Sequence, residues 1–239
     1  MPPLTRPLPS PRPAWTALTL VLLILQTTQA AHRHPRHNGD IAFADLILGK
    51  ADIMTVGPEG SSTPRLLIEE GFNAHPAYSL DGSRLAFSCE RDSENFEVYT
   101  ARASDGLDQQ RVTHSPGVGS YSMVPSFSCD GTHIAFEGQR EGQAFSQAYV
   151  VRADGTGDAT LIYPQPDAQQ VGPKFSPNCK QLCFASTAGG AQDLYLVDVS
   201  HSYAFTNLRR LTTGVHNDFS RSWSPDSKQI VFNNQIKGV

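Results

Sequence analysis

Hydrophobic and polar positions alternate in short runs through most of the chain, and the same run returns at a fixed interval. Pro76-Ala-Tyr-Ser-Leu-Asp-Gly-Ser-Arg-Leu-Ala-Phe87 reads as strand, tight turn, strand, with Asp81-Gly82 at the turn, because glycine enters positive φ without a Cβ clash. The unit recurs as Pro125–Phe136, Pro173–Phe184 and Arg221–Phe232. Its shared serines, Ser79, Ser128, Ser176 and Ser224, stand 49, 48 and 48 residues apart. A period of this size marks an array of supersecondary units.

Each period predicts two further strands. One is rich in β-branched and aromatic residues: Asp52–Val56, Glu97–Thr100, Gln147–Val151 and Asp193–Val197. Turns follow at 57–60, 103–106, 153–157 and 198–201, then a last short strand ending at Ile68, Thr113, Ile162 or Thr212. No amphipathic helical period competes outside the N-terminal segment. The expected fold is therefore all-β: a β-propeller of four-stranded antiparallel blades, four to five in number. The repeats run over about 40–70, 71–115, 120–165, 168–214 and a partial 216–239. A four-stranded sheet with two apolar faces is covered only by stacking on its neighbours. Tyr78, Phe127, Phe175 and Trp223, with Phe43, Phe87, Phe136, Phe184 and Phe232, are the aromatics assigned to that packing.

The pattern P-x-[FYW]-S-x-D-G-x-x-[IL]-A-F, followed by D-[IL]-Y, a D-G turn and a final L-T, resembles the repeat of the TolB-like β-propellers. Those WD-like repeats also precede prolyl-oligopeptidase-type hydrolase domains. The resemblance covers about residues 40–239 and implies the fold. It leaves function open, because the family spans binding modules, enzyme appendages and lyases. The repeats depart from the pattern at four of these positions: Asn178-Cys179 replaces Asp-Gly, Ser227 replaces the glycine, and Arg221 replaces the proline.

The repeats begin at a second strand and end at one. Ser222-Trp223-Ser224 beside Ile41-Ala42-Phe43 would close a four-blade ring, with Gln229–Phe232 competing for the same place. Otherwise the chain forms an open five-blade arc with Gln229–Phe232 at an exposed edge, which invites self-association. The end within Asn233–Val239 also fits a truncated propeller of a larger hydrolase.

Composition adds boundaries. The 239 residues carry a formal charge of −4 with 18% charged residues, a globular balance without the basic patch of a nucleic-acid-binding protein. Residues 1–30 read as a signal peptide: Arg6 and Arg12, the apolar run Ala17–Leu25, and small residues to Ala30. Residues 31–39 are a polar linker. The expected location is outside the cytoplasm, secreted or periplasmic, with no membrane association after cleavage. Cys89, Cys129, Cys179 and Cys183 allow three pairings, and their disulfide state stays open.

No G-x-S-x-G elbow, zinc-type cysteine pair or cofactor motif occurs, so no catalytic residue, metal or cofactor is assigned. A polar set does fall at equivalent places. Asn73, Ser122, Gln170 and Asp218 each lie three residues before the proline or its Arg221 replacement, on the way into the innermost strand. They would ring one mouth of the channel, with His114, Tyr121, His216, Asn217 and Phe219 in the same class of loops. Such mouths bind peptides or small ligands. The leading expectation is an exported, non-enzymatic scaffold for a protein or peptide partner. The alternative is a metal-dependent carbohydrate-active enzyme, such as an oligosaccharide lyase, using His75, His114, His133 and His216.

Overall fold

The computed structural model describes residues 39–47, 50–59, 63–92, 95–214 and 217–235. The signal-peptide and linker assignments over residues 1–38 lie outside the described residues. The elements are all strands. The first sheet holds β1 (Ile41–Ile47), β2 (Lys50–Val56) and β3 (Arg65–Ile68). The second holds β4 (Asn73–Tyr78), β5 (Arg84–Cys89), β6 (Glu97–Arg102) and β7 (Gln110–Arg111). The third holds β8 (Tyr121–Phe127), β9 (His133–Gln139), β10 (Gln147–Arg152) and β11 (Thr160–Leu161). The fourth holds β12 (Gln170–Phe175), β13 (Gln181–Ser186), β14 (Asp193–Val199) and β15 (Phe205–Arg210), and the last pairs β16 (Asn217–Trp223) with β17 (Ile230–Gln235). All pairs are antiparallel meanders of consecutive strands.

Among the described residues the last hairpin pairs with no strand of the first sheet. The blades therefore form an open arc with innermost strands β4, β8, β12 and β16, and the alternative closure of four blades does not occur. Among the described residues no innermost strand pairs with β1 and no third strand pairs with β17.

The core lies between blades, and its layering follows from the pleat. Leu85 and Phe87 point to the first blade and pack with Ile53, Leu67 and Ile68, while Ala86 between them faces the third blade. Ile134 and Phe136 face back to the second blade, and Ala135 faces forward to the fourth. Leu182 and Phe184 face back, and Cys183 faces forward to Trp223 and Ile230. Bulky residues on one face and small ones on the other let each sheet nest against the next. Phe87, Phe136 and Phe184 are fully buried. Each stacks on its cross-strand partner, Tyr99, Tyr149 or Tyr195, with ring centroids 5.9, 5.6 and 6.0 Å apart. Such burial contributes roughly 2–3 kcal/mol per ring. Phe232 departs from the expectation of core packing. Among the described residues no third strand supplies a tyrosine beside it, and it stays 36% exposed, with Val231 at 69%.

The repeated turn is a hydrogen-bonded unit. The hydroxyls of Ser79, Ser128, Ser176 and Ser224 donate to Asp81, Asp130, Asn178 and Asp226 at 2.6–2.8 Å. Each hydroxyl also accepts the amide five residues on, at 2.9–3.0 Å. The left-handed position is Gly82 or Gly131 in two turns, and Cys179 (φ 57°) or Ser227 (φ 60°) in the others. The two residues that replace the glycine, Cys179 and Ser227, thus carry the backbone strain of these turns. Cys179 is disulfide-bonded to Cys129, joining the turns of the third and fourth blades. Cys89 and Cys183 are free and buried, filling small core positions. Burial pushes the Cys183 thiol up to about 12.

Replacing Cys129 and Cys179 together by serine removes a link across 50 residues. It should cost about 4 kcal/mol by chain entropy, read as a fall in the urea midpoint at unchanged m-value. Acid should act through the turns. Serine hydroxyls and backbone amides hold the Asp81 and Asp226 carboxyls below the ordinary carboxylate range. A depressed folded-state pKa gives stability that is present above the unfolded value near 4 and lost as pH falls through the lower folded value. Thermal scans from pH 5 to pH 2 should show this loss, and the double variant Asp81→Asn, Asp226→Asn should flatten it, as Asn178 already does in its own turn.

Candidate functional site

The four repeat-equivalent residues enter the innermost strands as expected, but their side chains turn inward. Asn73, Ser122 and Gln170 are fully buried and Asp218 is 2% exposed. A common hydrogen bond sets them there. The amides of Ser122, Gln170 and Asp218 donate to the carbonyls of Phe96, Ser146 and Gln192 in the preceding blade, at 2.7, 2.8 and 2.8 Å. β8, β12 and β16 thereby hook onto the residue that leads into the third strand of the preceding blade.

The side chains are used by the same joints. Asn73 donates to the Glu70 carbonyl at 3.1 Å, Ser122 shares a proton with Ser115 at 2.8 Å, and Asp218 accepts from Asn234 at 2.7 Å. Gln170 shows why. In two blades the final threonine of the repeat, Thr113 or Thr212, accepts the amide of Val98 or Leu194. The third blade has Tyr163 at that place, and the Gln170 amide group substitutes: its oxygen accepts Ala148 N at 3.0 Å and its nitrogen donates to Tyr163 O at 2.7 Å. Of the remaining candidates, His114 is exposed, and the Tyr121 hydroxyl donates to Glu137 at 3.3 Å. His216 and the side chains of Asn217 and Phe219 lie outside the described residues.

Sequence reasoning passed over a second buried polar set, the residue opening each third strand. Glu97 is fully buried and accepts Thr113 Oγ1 and Ser115 N at 2.5 Å, Arg111 at 3.0 Å and Ser115 Oγ at 3.1 Å. Gln147 donates to the Gln165 and Ala168 carbonyls, and Asp193 accepts Arg210 at 2.5 Å. The signal was present as the polar residue before the valine, alanine or leucine of E-V-Y, Q-A-Y and D-L-Y. These residues clamp the loop that leads to the next blade.

The axial side of the innermost strands carries the other unassigned groups. Each strand bulges before its proline or Arg221, with left-handed His75 (φ 53°), Val124 (φ 54°) and Gly172 (φ 52°). Ser88 ties two bulges, meeting His75 Nδ1 at 3.3 Å and accepting Val124 N at 3.2 Å. Glu137 accepts Gly172 N at 3.3 Å, and burial raises its carboxyl pKa. Arg221, nearly buried, uses its guanidinium on the carbonyls of Val171 and Gly172. Lys174 donates to the Pro125 carbonyl at 3.3 Å, and burial, then the Arg221 charge, pushes its ammonium pKa down to about 8. Of the described histidines, His133 stacks on Tyr203 at 3.7 Å, while His75 sits in its bulge. Among the described residues no three His, Cys, Asp or Glu side chains stand together as metal ligands.

This architecture is that of a TolB-like β-propeller. The structure is similar to TolB from Acinetobacter baumannii, with a TM-score of 0.68 and 20% identity, over 85% of this chain and 49% of that one. It is also similar to a TolB structure from Agrobacterium tumefaciens, with a TM-score of 0.64 and 24% identity, over 82% of this chain and 70% of that one. A prolyl endopeptidase structure aligns at a TM-score of 0.54 and 16% identity, over 77% of this chain and 29% of that one. The chain thus spans about half the length of the A. baumannii protein, and the likeness is one of fold. No family model matches the sequence. No curated protein matches it either.

The joint residues and the exposed loop residues should separate under mutation. Gln170→Ala strands Ala148 N and Tyr163 O in the interior and should cost about 1–3 kcal/mol. His114→Ala should stay within about 0.5 kcal/mol of the parent. Urea unfolding of the two variants checks both values.

Proposed function

We propose that the chain is an exported, non-enzymatic scaffold that binds another protein or peptide. The observation that carries this reading is the open arc. Among the described residues no strand pairs with the outer edge of β17, and Val231 and Phe232 are exposed there. A free strand edge offers a row of backbone donors and acceptors to a strand from another chain, with side-chain pockets giving selectivity. The rigid repeats supply the platform, and a second copy is one occupant that the edge would accept.

Export has support in the Cys129–Cys179 disulfide, since structural disulfides persist in oxidising compartments. A second reading, a propeller segment of a larger hydrolase, is favoured by the likeness to the prolyl endopeptidase.

Sedimentation of the chain beginning at Ala31, produced in an oxidising compartment, tests the edge. The parent should associate with rising concentration, and Val231→Lys with Phe232→Lys should return it to a monomer with an unchanged thermal midpoint. A parent that remains monomeric at every concentration would remove self-association, and a lysine pair without effect would remove the β17 edge as the binding surface.

A further inference from the structure

The innermost strands border a half-open cavity at the end opposite the buried polar joints. It measures about 230 Å³ and lies between β4, β8 and β12 and their turns. Tyr78, Leu80, Phe127 and Phe175 give it apolar and aromatic walls, and Lys174 is its one charged lining residue. Its hydroxyl groups are already engaged: Ser126 accepts Phe175 N, and Ser176 serves its own turn.

Lys174 is not required by the fold. The residue after the proline position is Ala77, Ser126, Lys174 and Ser222 in successive repeats, so the strand is built equally well on a small side chain. The same repeat carries Asn178 where the other three carry Asp81, Asp130 and Asp226, which removes a carboxylate four residues from the lysine. Both departures make this wall of the cavity more positive. An ammonium has three donors, and the described contact is one, to the Pro125 carbonyl. No salt bridge among the described residues includes Lys174. The Arg221 charge adds to the positive side, while burial and the Lys174 charge hold the His75 imidazole below its ordinary pKa. Glu137 is occupied by Gly172 N and Tyr121. Lys174 is thus a half-buried cation with donors to spare, at the wall of an aromatic cavity.

We propose that this cavity binds a small ligand in which a carboxylate is attached to an apolar group, with the carboxylate on Lys174 and the apolar part against Tyr78, Phe127 and Phe175. The volume falls below the roughly 300–1,000 Å³ of sites for drug-sized molecules, so the ligand is a single side-chain-sized group. The free C-terminus of a peptide and a free aromatic acid share this chemistry. The lowered lysine pKa agrees with a charge that lacks its counter-ion. The site is separate from the β17 edge and does not depend on it.

Calorimetric titration of the chain from Ala31 with 3-phenylpropionate tests the proposal. Saturable binding is expected, at least tenfold weaker in Lys174→Ser and absent with 3-phenylpropionamide. Serine is the residue that two other repeats carry at this position, so the variant should fold, and an unchanged thermal midpoint confirms that it has. The peptide Ala-Ala-Phe with a free C-terminus supplies the second arm. Tighter binding of the peptide assigns the site to chain ends, and tighter binding of phenylpropionate assigns it to a free acid. Equal binding by parent and Lys174→Ser, equal binding of the amide, inorganic phosphate binding as tightly as the acid, or no saturable binding would each overturn the assignment.

Discussion

Everything in this molecule depends on a sheet that is apolar on both faces. A single blade, with Phe87 on one side and Ala86 on the other, has no solvated face to rest on. It becomes stable when a second blade covers the large residue and a third covers the small one. The alternation Leu-Ala-Phe, Ile-Ala-Phe and Leu-Cys-Phe is therefore a statement about neighbours. It gives the stack a direction, since every joint sets aromatic bulk from the later blade against aliphatic residues of the earlier one. Cys183 belongs to this series as a small apolar filler, which explains a buried free thiol without invoking chemistry.

Apolar layers alone would let blades slide, because area burial is non-directional. The polar joints remove that freedom. Glu97, Gln147 and Asp193 open the third strands, and Ser122, Gln170 and Asp218 hook the next innermost strands to those same places. The donors and acceptors are buried, so a slip of one residue would leave several of them unpaired in the interior. Gln170 shows that the geometry is kept even where the residue type changes: when threonine gives way to Tyr163, an amide from the adjoining strand takes over.

The blade pattern was legible because its signals are local. The S-x-D-G turn, the strand alternation and the 48–49-residue period each reside within a few neighbouring residues or in simple recurrence. The open arc was one of two readings, since Ser222-Trp223-Ser224 carries the same local pattern whether or not it reaches Ile41. The expected mouth residues were correctly placed at the entry to the innermost strands. Their inward direction was not legible, because it depends on which carbonyl the neighbouring blade presents. Lys174 escaped notice for a related reason. It differs from its repeat partners, so recurrence does not mark it. The pairing of Cys129 with Cys179 likewise needed the spatial neighbourhood of two turns.

That disulfide also decides how the arc comes apart. Adjacent blades elsewhere hold together by apolar contact and hydrogen bonds, all of which open and close reversibly. The third and fourth blades share a covalent tie at the axial end, while the polar hook of Gln170 on Ser146 holds the other end. This joint is a hinge pinned at both ends. Under load or heat this joint, tied covalently as well as by hydrogen bonds, should therefore outlast the others and keep together two of the blades that border the lysine cavity.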